Sequence, residues 1–141
     1  AIFILRGIHG EYYTPPTATG SVFADVPADY WAADWVEQLA LEGITGGCGN
    51  GNFCPDAPIT RAEMSVFLLR TKYGSDYLPP AASGLLFTDV PADYWAVDWI
   101  EQLALEDIAR GCGNGNFCPD TQVTRDQMAV LLQKLFGFPL P

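Results

Sequence analysis

The sequence predicts an all-α protein made of tandem helix-loop-helix repeats, and three observations carry that expectation. At a shift of 64 residues the chain aligns on itself without a gap, Phe23–Met64 matching Phe87–Met128 at 31 of 42 positions. Within each copy apolar residues recur at helical spacing, and a capping-box pattern opens a second helix in both. The unit cannot bury its apolar face alone, so neighbouring units must stack.

The opening segment, Ala1–Gly20, aligns with Ser65–Gly84 at the same shift. The expected organisation is therefore 1–20 as the second helix and linker of a preceding repeat, 21–84 as a repeat with its linker, and 85–141 as a repeat with a C-terminal tail. The repeat pattern stops at the tail from Gly137 to Pro141.

In each repeat the first helix is expected over Trp31–Gly43, with an apolar stripe at 32, 35, 36, 39 and 40. Asp25 and Pro27 lie upstream, where a cap and a fixed dihedral help initiation, and Gly43 before Ile44 marks the stop. Asp107 replaces that glycine in the second copy, a less comfortable residue for a left-handed stop. The stripe assigns Trp35 and Trp99 to the core and leaves Asp34, Glu37, Asp98 and Glu101 on a solvated face. The second helix begins at Thr60-Arg61-Ala62-Glu63, a capping box with Ile59 and Met64 placed as a hydrophobic staple. Thr124, Gln127, Val123 and Met128 repeat the arrangement. Met64, Phe67, Leu68 and Thr71 form a stripe for packing against the first helix, and Pro15-Pro16 and Pro79-Pro80 keep the linkers extended.

Composition narrows the function. Hydrophobic residues make up 49% and charged residues 17%, too apolar a balance for a disordered chain. The net charge of −10, from 17 acidic and 7 basic residues, opposes binding to nucleic acid or to an anionic membrane surface. No apolar run approaches the ~20 residues that cross a bilayer, so no membrane insertion is expected.

The order F-x-D-V-P-x-x-Y-W-A, W-[VI]-E-x-L-A, a Gly-rich loop ending F-x-P-D, then [IV]-T-R-x-[EQ]-M resembles the S-layer homology domain. The resemblance covers Phe23 to about Tyr73 and Phe87 to about Phe136, with the second helix of a preceding unit at Ala1–His9. It implies a pseudo-threefold helical bundle that holds exported proteins noncovalently on the bacterial cell wall. The implied ligand is a secondary cell-wall polysaccharide, often pyruvylated, or peptidoglycan itself. Its ligand-contacting positions fall on Thr60 and Arg61, on Thr124 and Arg125, and on the aromatics Trp31 and Trp95, with Asp25 and Asp89 at its early acidic position. One departure stands out: where relatives often read G-x-x-D-G-x-F-[KR]-P, this loop carries Asn50 for the Asp and Cys54 for the basic residue.

A guanidinium in the first turn of a helix opposes the macrodipole, at a cost of roughly 0.3–1 kcal/mol, yet beside free amides it forms a site for a carboxylate. The competing reading of Arg61 and Arg125 is a cover for a neighbouring helix or a partner for Asp25 or Asp29. Trp31 and Trp95, beside Tyr30 and Tyr94, are placed to stack on a sugar ring. His9 reads as a surface histidine. The cysteines form two identical pairs, Cys48 with Cys54 and Cys112 with Cys118. A local disulfide in each is the first reading and implies an extracellular location; a four-Cys zinc site across repeats is the alternative. Asn50, Asn52, Asp56, Asn114, Asn116 and Asp120 offer oxygens to calcium but lack the acidic run of a calcium loop, and read better as turn formers. No cofactor is otherwise expected, and no nucleophile elbow, phosphate loop, metalloprotease motif or paired-carboxylate cleft indicates an enzyme. Two functions follow: a non-catalytic anchor binding cell-wall glycan in grooves between repeats, or a self-assembling subunit of a surface layer or filament, hence a homo-oligomer.

Overall fold

A computed structural model describes residues 1–137, so the tail beyond Gly137 lies outside the described residues. The protein is all-α: α1 Ile2–His9, α2 Ala33–Leu41, α3 Arg61–Tyr73, α4 Val97–Leu105 and α5 Arg125–Phe136. Among the described residues only isolated β-bridges occur, with no strand.

The chain packs as two compact units, and they are offset from the sequence repeat. The first joins Ala1–Ala57 to Tyr73–Asp76; the second joins Pro58–Lys72 to the chain from Tyr77 onward. Most of α3, expected to pack on the first helix of its own repeat, therefore belongs to the unit that contains α4. The start of α3 bonds to the segment 117–123 that follows α4, and each linker is bound to the helix that follows it.

That binding overturns the solvated-face reading of the helix carboxylates. Glu37 and Glu101 are 5% and 7% exposed. Glu37 accepts the Thr19 and Gly20 N–H groups at 2.8 and 2.6 Å and the Thr19 hydroxyl at 3.2 Å. Glu101 accepts the Ser83 and Leu86 N–H groups at 2.9 and 3.2 Å and the Ser83 hydroxyl. One turn earlier Asp34 takes the Ala18 N–H and Asp98 the Ala82 N–H, each at 2.7 Å. An extended linker has no ladder to satisfy its amides, and these carboxylates supply the acceptors.

The turn this clamp encloses requires glycine. Gly84 has φ +68°, and a Cβ there would lie 2.5 Å from the Ala92 nitrogen. Gly84→Ala is expected to lower stability by about 1–2 kcal/mol, read as an earlier urea midpoint with an unchanged slope.

The first unit's core gathers Ala18, Phe23, Val26, Ala32, Ala33 and Val36, with Tyr30, Ala40 and Phe53 against it. In the second unit Val90, Ala96, Ile100, Leu103, Ile108 and Phe117 are buried. The first helices start two residues later than expected, at Ala33 and Val97, with no side-chain cap. Asp25 and Asp89 are engaged elsewhere. The left-handed stop is present at both Gly43, φ +67°, and Asp107, φ +55°. At Asp107 the side chain gains ion pairs with Arg110 at 2.9 Å and Lys134 at 3.4 Å, which offset its conformational cost. Both capping boxes form: the Thr60 N–H donates to Glu63 at 2.8 Å, the Glu63 N–H donates back to the Thr60 hydroxyl, and Thr124 pairs likewise with Gln127.

Candidate functional site

Each Gly- and Asn-rich loop is closed by a disulfide, Cys48–Cys54 and Cys112–Cys118. The turn at its tip uses Asn50 and Asn114 in the left-handed conformation, the role read for them from the sequence. Asp25, expected as a helix cap, instead accepts the Phe53 and Cys54 N–H groups, both at 2.7 Å. Asp89 holds Phe117 and Cys118 in the same way at 2.7 Å. The bond from the Phe53 amide is the largest cause that holds the Asp25 carboxyl below its ordinary value. This carboxylate orients Phe53 onto Phe23, ring centroids 5.4 Å apart, and Asp89 orients Phe117 onto Phe87 at 5.2 Å.

In the second unit the start of α3 lies against the Phe117 loop. The Arg61 Nε donates to the Phe117 carbonyl at 2.9 Å and its Nη2 to the Arg110 carbonyl at 2.7 Å. The guanidinium carbon stands 4.5 Å from the Phe117 ring centroid, a cation–π stack. Burial lowers the Arg61 pKa, and the negative charge of Asp89 partly restores it. Main-chain bonds complete the junction: Arg61 N–H to Thr121 O, Ala62 N–H to Pro119 O and Val123 N–H to Ile59 O, each 2.9 Å. The amides at this helix start, which sequence reasoning offered to a carboxylate ligand, thus already have acceptors, main-chain carbonyls for Arg61 and Ala62 and the Thr60 hydroxyl for Glu63.

Arg125, the repeat equivalent of Arg61, is exposed. Thr60 forms a bridge with Gln122, and the Thr124 hydroxyl donates to Asp126. Trp31 and Trp95 are 76% and 62% exposed, flanked by Tyr30 and Tyr94 at centroid distances of 5.9 and 6.1 Å. The Tyr94 hydroxyl donates to Asp120 at 2.9 Å. Trp35 and Trp99 are not in the core as the stripe suggested. They are half-buried, with the Arg6 and Arg70 guanidinium groups 5.3 and 5.6 Å above their rings and Tyr13 and Tyr77 at their edges.

A cavity of about 290 Å³ opens in the second unit, lined in part by Arg61, Arg110, Asp126, Gln127, Val130 and Lys134. Three of the chain's seven basic residues thus converge on one groove. Arg110 and Lys134 escaped the motif-based reading because they fall outside its fixed positions. The signal lay in the differences between copies, Asp107 and Arg110 standing where the first repeat has Gly43 and Gly46.

The S-layer homology domain signature matches residues 22–65 and 86–129. The chain belongs to the S-layer homology domain family. A "Cell surface protein" of Thermoanaerobacter kivui is 34% identical over 122 residues, covering 86% of this chain and 16% of that protein. The "S-layer protein sap" of Bacillus anthracis is 31% identical over 126 residues, 87% of this chain and 14% of its own length. An "Endoglucanase" of Bacillus sp. (strain KSM-635) is 27% identical over 116 residues, 82% of this chain and 12% of that enzyme. The chain therefore spans less than a fifth of these relatives. With two S-layer homology repeats and paired disulfides, it is an extracellular module of the cell surface. No helix among the described residues is long and apolar enough to cross a membrane.

Proposed function

We propose that this S-layer homology module is a non-catalytic anchor that binds bacterial cell-wall glycan, either secondary polysaccharide or peptidoglycan. The observation that supports the reading is the concentration of Arg61, Arg110 and Lys134 along one groove of a chain whose net charge is −10. A local cationic groove attracts an acidic sugar that the overall field would repel, and its guanidinium donors suit the carbonyl of a neutral acetamido group. Trp31 and Trp95 supply exposed faces for stacking on sugar rings. Arg61, Thr60 and Asp89 act mainly by holding the loop that shapes the groove. The same module attached to S-layer proteins and to an endoglucanase suits a tether that is indifferent to its cargo.

The test is cosedimentation with purified sacculi before and after removal of the attached polysaccharide. Trp95→Ala and Lys134→Ala are each expected to weaken binding about tenfold while circular dichroism is unchanged. Loss of binding on stripping assigns the polysaccharide, and retention assigns peptidoglycan. A folded sample that binds neither wall preparation overturns the anchor.

A further inference from the structure

Each disulfide loop turns at an exposed Asn-Gly pair, and the geometry of the turn bears on a reaction that such a pair undergoes. In the first loop Asn50 and Gly51 have φ +51° and +75°, and the Asn52 N–H donates to the Gly49 carbonyl at 3.0 Å. In the second, Asn114 and Gly115 have φ +53° and +77°, and the Asn116 N–H donates to the Gly113 carbonyl at 2.9 Å. Two consecutive left-handed residues inside such a bond make a type I′ turn.

We propose that Asn50 and Asn114 are sites of spontaneous deamidation, and that Thr88 slows the reaction at Asn114. The Gly115 nitrogen attacks the side-chain carbonyl carbon of Asn114. A C–N bond closes a succinimide ring, the bond to the side-chain nitrogen breaks, and ammonia leaves with the proton that the glycine amide gives up. Water then opens the ring at either carbonyl to give aspartate or isoaspartate, so nothing is oxidised or reduced. Glycine, without a Cβ, leaves the attacking nitrogen unhindered. Ring closure needs that nitrogen nearly eclipsed with the Asn Cβ, whereas the ψ of about +30° in a type I′ turn points it away. The folded turn thus resists cyclisation, and the rate follows the fraction of loops in which the turn has opened.

The two loops differ in what opposes opening. Each has its disulfide and a carbonyl anchored by a backbone amide, Ala24 N–H to Gly51 O and Thr88 N–H to Gly115 O, both 2.9 Å. The second loop has a further anchor in its own unit. The Thr88 hydroxyl reaches the Gly115 carbonyl at 3.3 Å and also the Asn116 carboxamide. A Cβ on Gly115 would lie 3.8 Å from the Thr88 Cγ2, whereas one on Gly51 would meet nothing within 4 Å. Ala24, which has no hydroxyl, holds the equivalent place in the first loop. The loop with the added anchor is the one whose Phe117 carbonyl and ring hold Arg61, where the extra main-chain methylene of isoaspartate would disturb a completed junction.

Peptide mapping by mass spectrometry tests this on the oxidised full chain held in mildly alkaline buffer, with isoaspartate separated from aspartate by chromatography. Both residues are expected to gain one mass unit, with isoaspartate among the products, more slowly than the same Asn-Gly pair in a short synthetic peptide. Thr88→Ala is expected to speed the reaction at Asn114 about three- to tenfold, and Ala24→Thr to slow it at Asn50 by a similar factor, the weight of one hydrogen bond. Each variant places the other repeat's residue at an exposed position, so both should keep the parent circular dichroism. Each rate is compared with the parent's at the same residue, so the different surroundings of the two loops do not enter. Absence of isoaspartate at both residues after the peptide has fully converted, or a rate at Asn114 that Thr88→Ala leaves unchanged, overturns the proposal.

Discussion

Replacing Glu101 with alanine is expected to destabilise the protein by about 3–4 kcal/mol, measured as a shift in urea unfolding followed by circular dichroism. The carboxylate is buried, and it accepts the Ser83 and Leu86 amides and the Ser83 hydroxyl. Its removal strands several donors in a place water reaches poorly, and each stranded donor costs about 1–3 kcal/mol. Glu101→Gln retains an acceptor and should recover part of the loss. A change below about 1 kcal/mol for the alanine variant would show that the linker is held by packing alone. The same carboxylates set the acid limit. Backbone amides hold Glu37 and Glu101 below the ordinary glutamate value, outweighing burial, which pushes the other way. A depressed folded pKa means the unfolded chain takes up protons first. The stabilisation is therefore complete above about pH 4.3, the ordinary glutamate value, and is withdrawn as pH falls through the lower folded values. Glu101→Gln should flatten that part of the profile.

The misreading of these two glutamates shows where a single sequence stops being informative. Helical period, capping boxes, paired cysteines and the left-handed stop at Gly43 are local properties, and local patterns predict them. The capping boxes in particular are legible because Thr60 and Glu63 lie within one turn and satisfy each other. Glu37 looks like any exposed helix carboxylate because its partners, Thr19 and Gly20, lie 18 and 17 residues away on a linker that has no periodicity to announce its path. Asp25 was misassigned for the same reason: its donors are 28 and 29 residues distant. Exposed Trp31 and Trp95 were legible from their place at the helix start. Arg110 and Lys134 were not, since what makes them a cluster is Asp107, whose side chain pairs with one at three residues and the other at twenty-seven. The offset of the packing units reflects another distant contact, the start of α3 on residues 117–123. A repeat in sequence marks the unit of duplication; the unit of packing is set by which distant segments bond to one another.

Arg61→Ala and Arg125→Ala, chemically the same substitution at equivalent repeat positions, should differ by about 2–3 kcal/mol in their effect on stability. Arg61→Ala removes two hydrogen bonds to main-chain carbonyls and the stack on Phe117. It also leaves the Phe117 and Arg110 carbonyls without their guanidinium donor in a half-buried junction, so a loss of about 3 kcal/mol is expected. Arg125 is exposed at the start of α5, and its replacement relieves a cation facing the helix amino terminus, giving a change within about 0.5 kcal/mol. Arg61→Lys should behave more like alanine than like arginine, because one ammonium cannot reach two carbonyls and cover a ring at once. Urea titration of the three variants at low protein concentration reads the difference, and equal stability of the two alanine variants would refute the structural role of Arg61. The contrast also bears on wall binding. A drop in affinity in Arg61→Ala is ambiguous, since the variant loosens the loop that shapes the groove; a drop in Lys134→Ala is not, provided its unfolding midpoint holds. Two arginines that share a motif position thus differ in their surroundings, one inside a completed junction and the other exposed at a helix start, and the difference arises from what each finds across from it rather than from its own sequence context.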